Sequence, residues 1–450
     1  MKKVGSPLGP PARSEEATTS VADVLPFRGL RYNPALVPDL TAAISPPYDV
    51  ISPEEQQWYY RRHPYNVIRL ELGETLADDG PEQNRYTRAR AYLEKWLEER
   101  VLVPDAAPGF YLCQDEFSWQ GRTVRRLGLI AALRAVPYSR GTVLPHEDTL
   151  PKAKGDRYEL LLACRTNFSP IFVLYRDPAG EVTARLRPYL EGPALAQAST
   201  REGVTHRLWS VDEPETVAAI SRLFTDRLVY IADGHHRYET ACRFAEEHGE
   251  RYGFVLATLV ALEDPGLIVL PTHRLLRDLD PPRWSLLPGG FERRSYTYAG
   301  LSEDPGQLEG FLRLLAEAGR GNYSFGFYQG GDTLELVYDP GRTRENRPAP
   351  GTLPLLDVTV LHQEILLPVF NLHPDQVAHG RCVAYTRDPV EAWKAVRDGD
   401  CQTAVFLNPP TLEQITAVAA AGGRMPQKST YFWPKLPAGL VMLRLEGVGE

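Results

Sequence analysis

The spacing of apolar and polar positions assigns most elements of this chain. Val24-Leu25-Pro26-Phe27 opens the ordered pattern as a strand leading into Arg28-Gly29-Leu30-Arg31-Tyr32. At Ser52-Pro53-Glu54-Glu55 the serine caps a helix, proline suits its first position, and Glu55 completes a capping box. Asn66 to Leu72 alternates as a half-buried strand does, and from Glu82 to Arg100 the apolar residues Tyr86, Ala89, Leu93, Trp96 and Leu97 share one helical face. Phe110 to Trp119 and Thr123 to Leu133 read as a hairpin turning at Gln120-Gly121. A helix through Cys164, a strand from Pro170 to Tyr175 and an amphipathic helix from Pro214 to Phe224 follow. The strand Leu228 to Ala232 then meets an Asp-Gly turn, a helix from Tyr238 to Glu247, and strands Phe254 to Leu262 and Leu267 to Leu270.

Beyond Asp280 the texture changes. Pro281-Pro282 and the Gly/Pro/Asp-rich stretches near residues 330 to 352 read as boundaries and loops. Strand Val383 to Thr386, helix Pro389 to Val396, strand Thr403 to Leu407 and helix Leu412 to Ala421 then suggest a separate small α/β unit. The expected fold class is α/β, of the mixed α+β kind. A chain of 450 residues exceeds one ordinary core. The expected partition is a disordered tail at 1–22, a main domain at 23–280 and a C-terminal α/β domain at 281–450.

Composition narrows the function classes. The 43% hydrophobic and 24% charged content is that of a globular protein, and no apolar run reaches the length of a membrane span. Gly5, Ser6, Pro7 and Gly9 follow the first lysines where a secretory signal would need an apolar core. The net charge of -8 disfavours a broad grip on nucleic acid. Five cysteines without a Cys-x-x-Cys pair make neither a zinc ribbon nor a disulfide framework, so reduced thiols in a cytoplasmic protein are expected.

The most informative chemistry is Asp233-Gly234-His235-His236-Arg237. A buried strand that ends in Asp-Gly and enters a helix aims free N–H groups and the positive end of the helix dipole beyond the strand end, which favours an anion. Gly234 allows close approach of a ligand, Arg237 can add a bidentate phosphate contact, and His235 and His236 can donate or carry a proton. An ordinary Asp-Gly turn with a capping aspartate and two surface histidines fits the spacing equally well. A second polar cluster, His146-Glu147-Asp148-Thr149 with Lys152, Lys154, Asp156 and Arg157, could hold magnesium, take a hydroxyl proton or clamp phosphate. It could equally be a solvated loop with a helix cap at Asp156. Thr272-His273-Arg274 follows an apolar strand and could reach the same crevice, since strand carboxyl ends bind ligands in α/β sheets. Arg28, Arg31, Tyr48 and Asp49 are second-tier candidates. Lys428 lies in the segment Met425 to Lys435, which is either a functional loop or a surface strap.

The Asp-Gly-His-His-Arg turn after a strand resembles the signature turn of the ParB/sulfiredoxin-like superfamily, which includes a free-serine kinase. The wider chain resembles domain-of-unknown-function family 1015. The carrying segments are Phe27 to Tyr32, Pro46-Pro47-Tyr48-Asp49-Val50-Ile51, Asn66 to Leu70, His146 to Thr149, Asn167 to Phe172, Ala232 to Ala241, Pro271 to Arg274 and Met425 to Thr430. His235 and His236 stand where sulfiredoxin carries its catalytic cysteine, and Cys242 reads as packing, so peroxiredoxin repair is disfavoured. No helix-turn-helix array resembling that of ParB follows.

The resemblance implies a ParB/sulfiredoxin-like core with a smaller C-terminal domain, binding ATP or ADP with Mg2+. It implies a kinase-like transferase acting on a small hydroxyl metabolite, with a free amino acid such as serine the first to test. In that expectation Asp233, Gly234, His235, Arg237, Thr272, His273 and Arg274 hold the nucleotide. Glu147, Asp148 and His236 are catalytic. A nucleotide-binding regulatory switch with little turnover is the alternative, and a metal-dependent hydrolase using His146, Glu147, His235 and His236 is a third. Partners are the nucleotide and a small molecule; membrane and nucleic acid are disfavoured, and self-association stays open.

Overall fold

A computed structural model describes residues 22–147, 149, 151–343, 356–378, 382–426, 428–446 and 448. Most of the expected tail, Asp148, Gln427 and part of the expected loop near 330 to 352 lie outside the described residues.

The fold is mixed α/β with several sheets. The largest has nine strands, ordered Val143–Leu144, Val229–Asp233, Ile171–Tyr175, Phe254–Ala261, Arg122–Arg134, Phe110–Trp119, Thr205–Val211 and Ala196–Ser199, with Val24–Leu25 added along Arg122–Arg134. The expected hairpin is present. Trp119 pairs with Arg122, and Gln120 (φ 48°) and Gly121 (φ 73°) both take the left-handed conformation that a two-residue hairpin turn demands. One face carries the helices Arg85–Glu98, Pro151–Cys164 and His235–His248, packing Trp96, Leu161 and Phe244 into one core. The other carries Glu181–Leu186 and Pro214–Phe224, which bury Val182, Ile220 and Phe224 against Val173 and Ile231.

Helix ends follow the local chemistry. Ser52 and Glu55 form the reciprocal capping box that starts Pro53–Arg62. Two expectations fail for identifiable reasons. The alternating stretch Asn66 to Leu72 contains the short helix Ile68–Glu71, because the Asn66 side chain accepts the Ile68 N–H at 2.9 Å and starts a helical turn. Asp156 does not cap its helix, which already begins at Pro151. The late strands Val383–Thr386 and Thr403–Leu407 belong to a larger sheet than the local alternation shows. They share a six-stranded sheet with Glu292–Thr297, Asn322–Tyr328, Thr333–Thr343 and His273–Leu276.

After that sheet the chain returns to the first body. Tyr431–Trp433 pairs with Ile268–Leu270, and Met442–Arg444 joins Gly29–Tyr32 and Thr166–Asn167. Ile415, Met425 and Phe432 pack on Phe172 and Leu174 of the nine-stranded sheet in a further core. The returning strap is held by charge as well as packing. Arg126, fully buried, donates to the Trp433 carbonyl at 3.0 Å and the Pro434 carbonyl at 2.8 Å while pairing with Asp115 at 2.7 Å. Burial alone would raise the Asp115 carboxyl, but Arg126 and His206 hold it well below the ordinary carboxylate range.

Among the described residues, Cys113, Asp115 and His206 bring three donor atoms within 4.8 Å of one another. The Arg126 guanidinium already occupies that carboxylate, so a metal cation there would face a fixed positive charge. The cluster is a latch for the strap. Asp115→Ala should cost about 3 kcal/mol or more, the scale for stranding one member of a buried ion pair. Chemical denaturation measures it, and a loss under about 1 kcal/mol would contradict the latch.

Candidate active site

The strand Val229–Asp233 ends at Gly234, which adopts φ +92° and starts the helix His235–His248. Only glycine fits there. A Cβ would lie 2.6 Å from Ile171 Cγ2, in a conformation that L side chains rarely adopt. No side chain of Gly234 caps the helix, so its first N–H groups are presented at the strand end, as an anion site requires.

Asp233 anchors this turn from both sides. Its Oδ1 accepts Lys435 Nζ at 2.7 Å and its Oδ2 accepts Arg237 Nη2 at 3.2 Å. Burial would raise its carboxyl, yet the two cations bring it down to about 2. The ionised form is therefore fixed. Lys435 lies over the Tyr431 ring at 4.3 Å, and its ammonium stays charged because Asp233 and Asp49 outweigh the cost of burial.

Arg237 has a different set of partners from the phosphate fork expected of it. Its Nη1 donates to Ser169 Oγ at 2.9 Å and to the Pro170 carbonyl at 2.7 Å, its Nη2 is on Asp233, and its side chain is only 9% exposed. The network continues inward. Ser169 Oγ donates to Glu71 at 2.8 Å, Arg157 donates to the Glu71 carbonyl at 3.0 Å, and Arg157 pairs with Asp156. Arg85 and Tyr86 hold the other Asp156 oxygen. Tyr48 packs its ring on Arg157 at 3.8 Å, which brings the neighbouring Asp49 to the crevice. Sequence reasoning missed Glu71 and Lys435 altogether.

The histidines divide. His146 and His235 are buried edge to face, with ring centroids 4.8 Å apart. His146 Nδ1 faces the Ile231 carbonyl at 2.7 Å, so it carries the proton, and Nε2 is then free to accept from Thr430 Oγ1 at 2.9 Å. His235 Nε2 accepts the His146 N–H at 3.3 Å. Burial pushes His146 down to about 4 and His235 well below its ordinary value. With both ring nitrogens engaged, His146 has none to offer the metal ion of the hydrolase alternative. His236 is half-buried at the start of the helix, its pKa lowered by burial against the opposing pull of Glu239 and Asp49.

Glu147 lies across the crevice in a bridge to Met425, and its Oε1 accepts the Lys428 N–H at 2.9 Å. Burial, with Asp233 and Asp49 adding negative charge, raises its carboxyl to about 7 against the pull of Lys428 and Lys435. The loop beside it is tied down by Thr149 and Lys154, both on Glu239. Cys242 is inert: burial lifts its thiol to about 12.

Thr272, His273 and Arg274 stand where the chain enters the six-stranded sheet. They are buried at the start of His273–Leu276 in the six-stranded sheet, where His273 Nδ1 accepts the Leu407 N–H at 3.3 Å and Arg274 stacks on Tyr385 at 5.5 Å. The strand they open pairs with Val383–Thr386 and Thr403–Leu407, and Thr272 and Arg274 share a pocket with Ser429 and Met425, the bridge partner of Glu147.

A family model described as "Protein of unknown function (DUF1015)" matches residues 24–359. The chain belongs to that family. Curated proteins give no match. Among solved structures, a free serine kinase in complex with AMP is 13% identical over 65% of this chain and 84% of that one, with a TM-score of 0.33. A conserved hypothetical protein from Pyrococcus furiosus is 14% identical over 68% and 94%, with a TM-score of 0.31. SbnI with C-terminal truncation from Staphylococcus aureus is 10% identical over 68% and 84%, with a TM-score of 0.32. Superpositions this loose carry no argument about the chemistry here. Among the described residues no helix is long and apolar enough to cross a membrane.

The burial of Arg237 changes what its replacement does. The position at the start of a helix suggests that Arg237→Ala leaves the fold intact, but its loss strands Asp233 and Ser169. Arg237→Ala should cost about 3 kcal/mol or more, read by chemical denaturation. A change under about 1 kcal/mol would show that Lys435 alone satisfies Asp233.

Proposed function

We propose that this DUF1015 protein is a nucleotide-dependent phosphotransferase acting on a small hydroxyl metabolite, and that the site is the crevice between Glu147 and the Gly234 turn. One observation carries the reading: a carboxyl raised to about 7, Glu147, lies within electrostatic reach of Asp233, Asp49 and Lys435 beside an uncapped helix start. A general base works best when its pKa lies near the working pH.

In this reading the backbone N–H groups after Gly234 face the nucleotide phosphates, and Lys435 adds positive charge beside them. Asp233, with both oxygens engaged, orients Lys435 and holds the turn. Arg237 shapes the turn from behind. Asp49 is the carboxylate suited to magnesium, since both Asp233 oxygens are engaged and Glu147 serves as the base. Bound ATP would supply the phosphoryl group and magnesium would offset its charge. Glu147 takes the hydroxyl proton, His236 borders the acceptor, and Asp148 remains a second candidate base. A ParB/sulfiredoxin-like core at 23–280, a C-terminal domain at 281–450 and a cytoplasmic setting belong to the same reading, with serine the first acceptor to assay.

The test begins with ATP and ADP titrations with and without magnesium, followed by turnover on a panel of hydroxyl metabolites. Glu147→Gln should leave nucleotide affinity unchanged and lower turnover by about 10²- to 10⁴-fold. A base must be deprotonated to act, so the wild-type rate should rise with pH through about 7 and then level off. The variant should lose that limb. Tight nucleotide binding with no product under any condition would contradict the transferase and favour the switch.

A further inference from the structure

Lys435 also lines a cavity of about 120 Å³, together with Val50, which follows Asp49 in the Pro-rich elbow. The cavity and the crevice therefore meet at Lys435. Val50, Trp433 and Pro434 give it apolar sides, and four charged groups stand on its wall: Lys435, Glu55, Arg387 and Glu202. Two of them are committed. Lys435 bonds Asp233 at 2.7 Å, and Glu55 accepts the Ser52 N–H at 2.9 Å in the capping box, with Arg201 at 3.9 Å from its other oxygen. Among the described residues no hydrogen bond or ion pair engages the other two, the exposed Arg387 guanidinium and the exposed Glu202 carboxylate. Arg387 is nonetheless held in place, over the Tyr431 ring at 3.7 Å, the same ring that Lys435 approaches at 4.3 Å.

A guanidinium stacked on a ring keeps its N–H edge for a carboxylate. One uncommitted cation and one uncommitted anion on the same wall match a ligand that carries both charges, and neither a plain anion nor a plain cation uses both. Volume sets the size. A cavity of about 150 Å³ holds benzene, so this one takes roughly six non-hydrogen atoms and is too small for a nucleoside. Asp233 and Asp49 both act on the Tyr431 hydroxyl, so the cavity borders the carboxylates of the crevice. We propose that this cavity is the acceptor pocket, that its occupant is a small zwitterion of the amino-acid class, and that Arg387 and Glu202 select it by its carboxylate and its ammonium. The role as acceptor rests on the transferase reading; the pocket itself does not. A hydroxyl on such a ligand would reach the crevice at the Lys435 end.

The test titrates the full chain calorimetrically, with and without ADP and magnesium. The probes are L-serine, ethanolamine, which lacks the carboxylate, and lactate, which lacks the ammonium. L-serine should bind at least about tenfold more tightly than either analogue. Arg387→Met should weaken L-serine at least about tenfold and erase its advantage over ethanolamine, and Glu202→Gln should do the same against lactate. Both side chains are exposed, and a general loss of folding would not produce this crossed selectivity. No binding of L-serine, or an L-serine affinity unchanged in both variants, would overturn the pocket. Crossed selectivity without phosphoryl transfer would keep the pocket and contradict the transferase. Phosphorylated serine formed with a KM that neither variant moves would do the reverse.

Discussion

The Asp233 carboxylate is the joint on which the site depends. One oxygen holds Lys435, which reaches it from 202 residues further along the chain, and the other holds Arg237 one helical turn away. A single charge thus fixes the last residue of a buried strand, the first turn of a helix and the returning strap. A lone carboxylate buried this deeply would protonate; two cations keep it ionised. The cations in turn are acceptable in the interior because Asp233 is there. From Arg237 the alternation runs on through Ser169, Glu71 and Arg157 to Asp156, joining the Pro-rich elbow to the same frame.

Glu147 behaves differently because, among the described residues, no ion pair holds its carboxylate. It accepts a backbone N–H from Lys428, and the fixed negative charge of Asp233 acts on it across the crevice. Burial is the main cause of its raised carboxyl, and the ionised Asp233 that stabilises the strap adds to it. Two carboxylates a short way apart are driven to opposite ends of the titration range, the pattern by which acid and base roles are separated in one pocket. Arg126 supports this at a distance by gripping the carbonyls of Trp433 and Pro434, next to Lys435.

Much of this was legible in the sequence where local chemistry decides. The hairpin at Gln120-Gly121, the capping box at Ser52 and the strand–turn–helix at Gly234 each depend on residues a few positions apart. The short helix at Ile68 was hidden because Val67, Ile68, Leu70 and Glu71 are all buried, leaving no polar face to set a helical period. Pairings across the chain had no local signal. Nothing near Lys435 announces Asp233, and nothing near Glu71 announces Arg157 and Ser169. Arg237 was found but assigned an outward role, because a position on a helix's first turn says nothing about which way a long side chain folds. Thr272 to Arg274 open a strand of the other sheet, and that Thr272 and Arg274 share a pocket with Met425 and Ser429 had no local signal either.

The most direct test of this account is a double-mutant cycle on Asp233 and Lys435. Stability would be measured by chemical denaturation for Asp233→Asn, Lys435→Met and the pair together. The account predicts a coupling energy of at least about 1 kcal/mol, with the double variant less destabilised than the sum of the singles, since each single change strands a buried charge. Effects that add within about 0.5 kcal/mol would contradict it, and would mean that the strap is held at the site by packing alone.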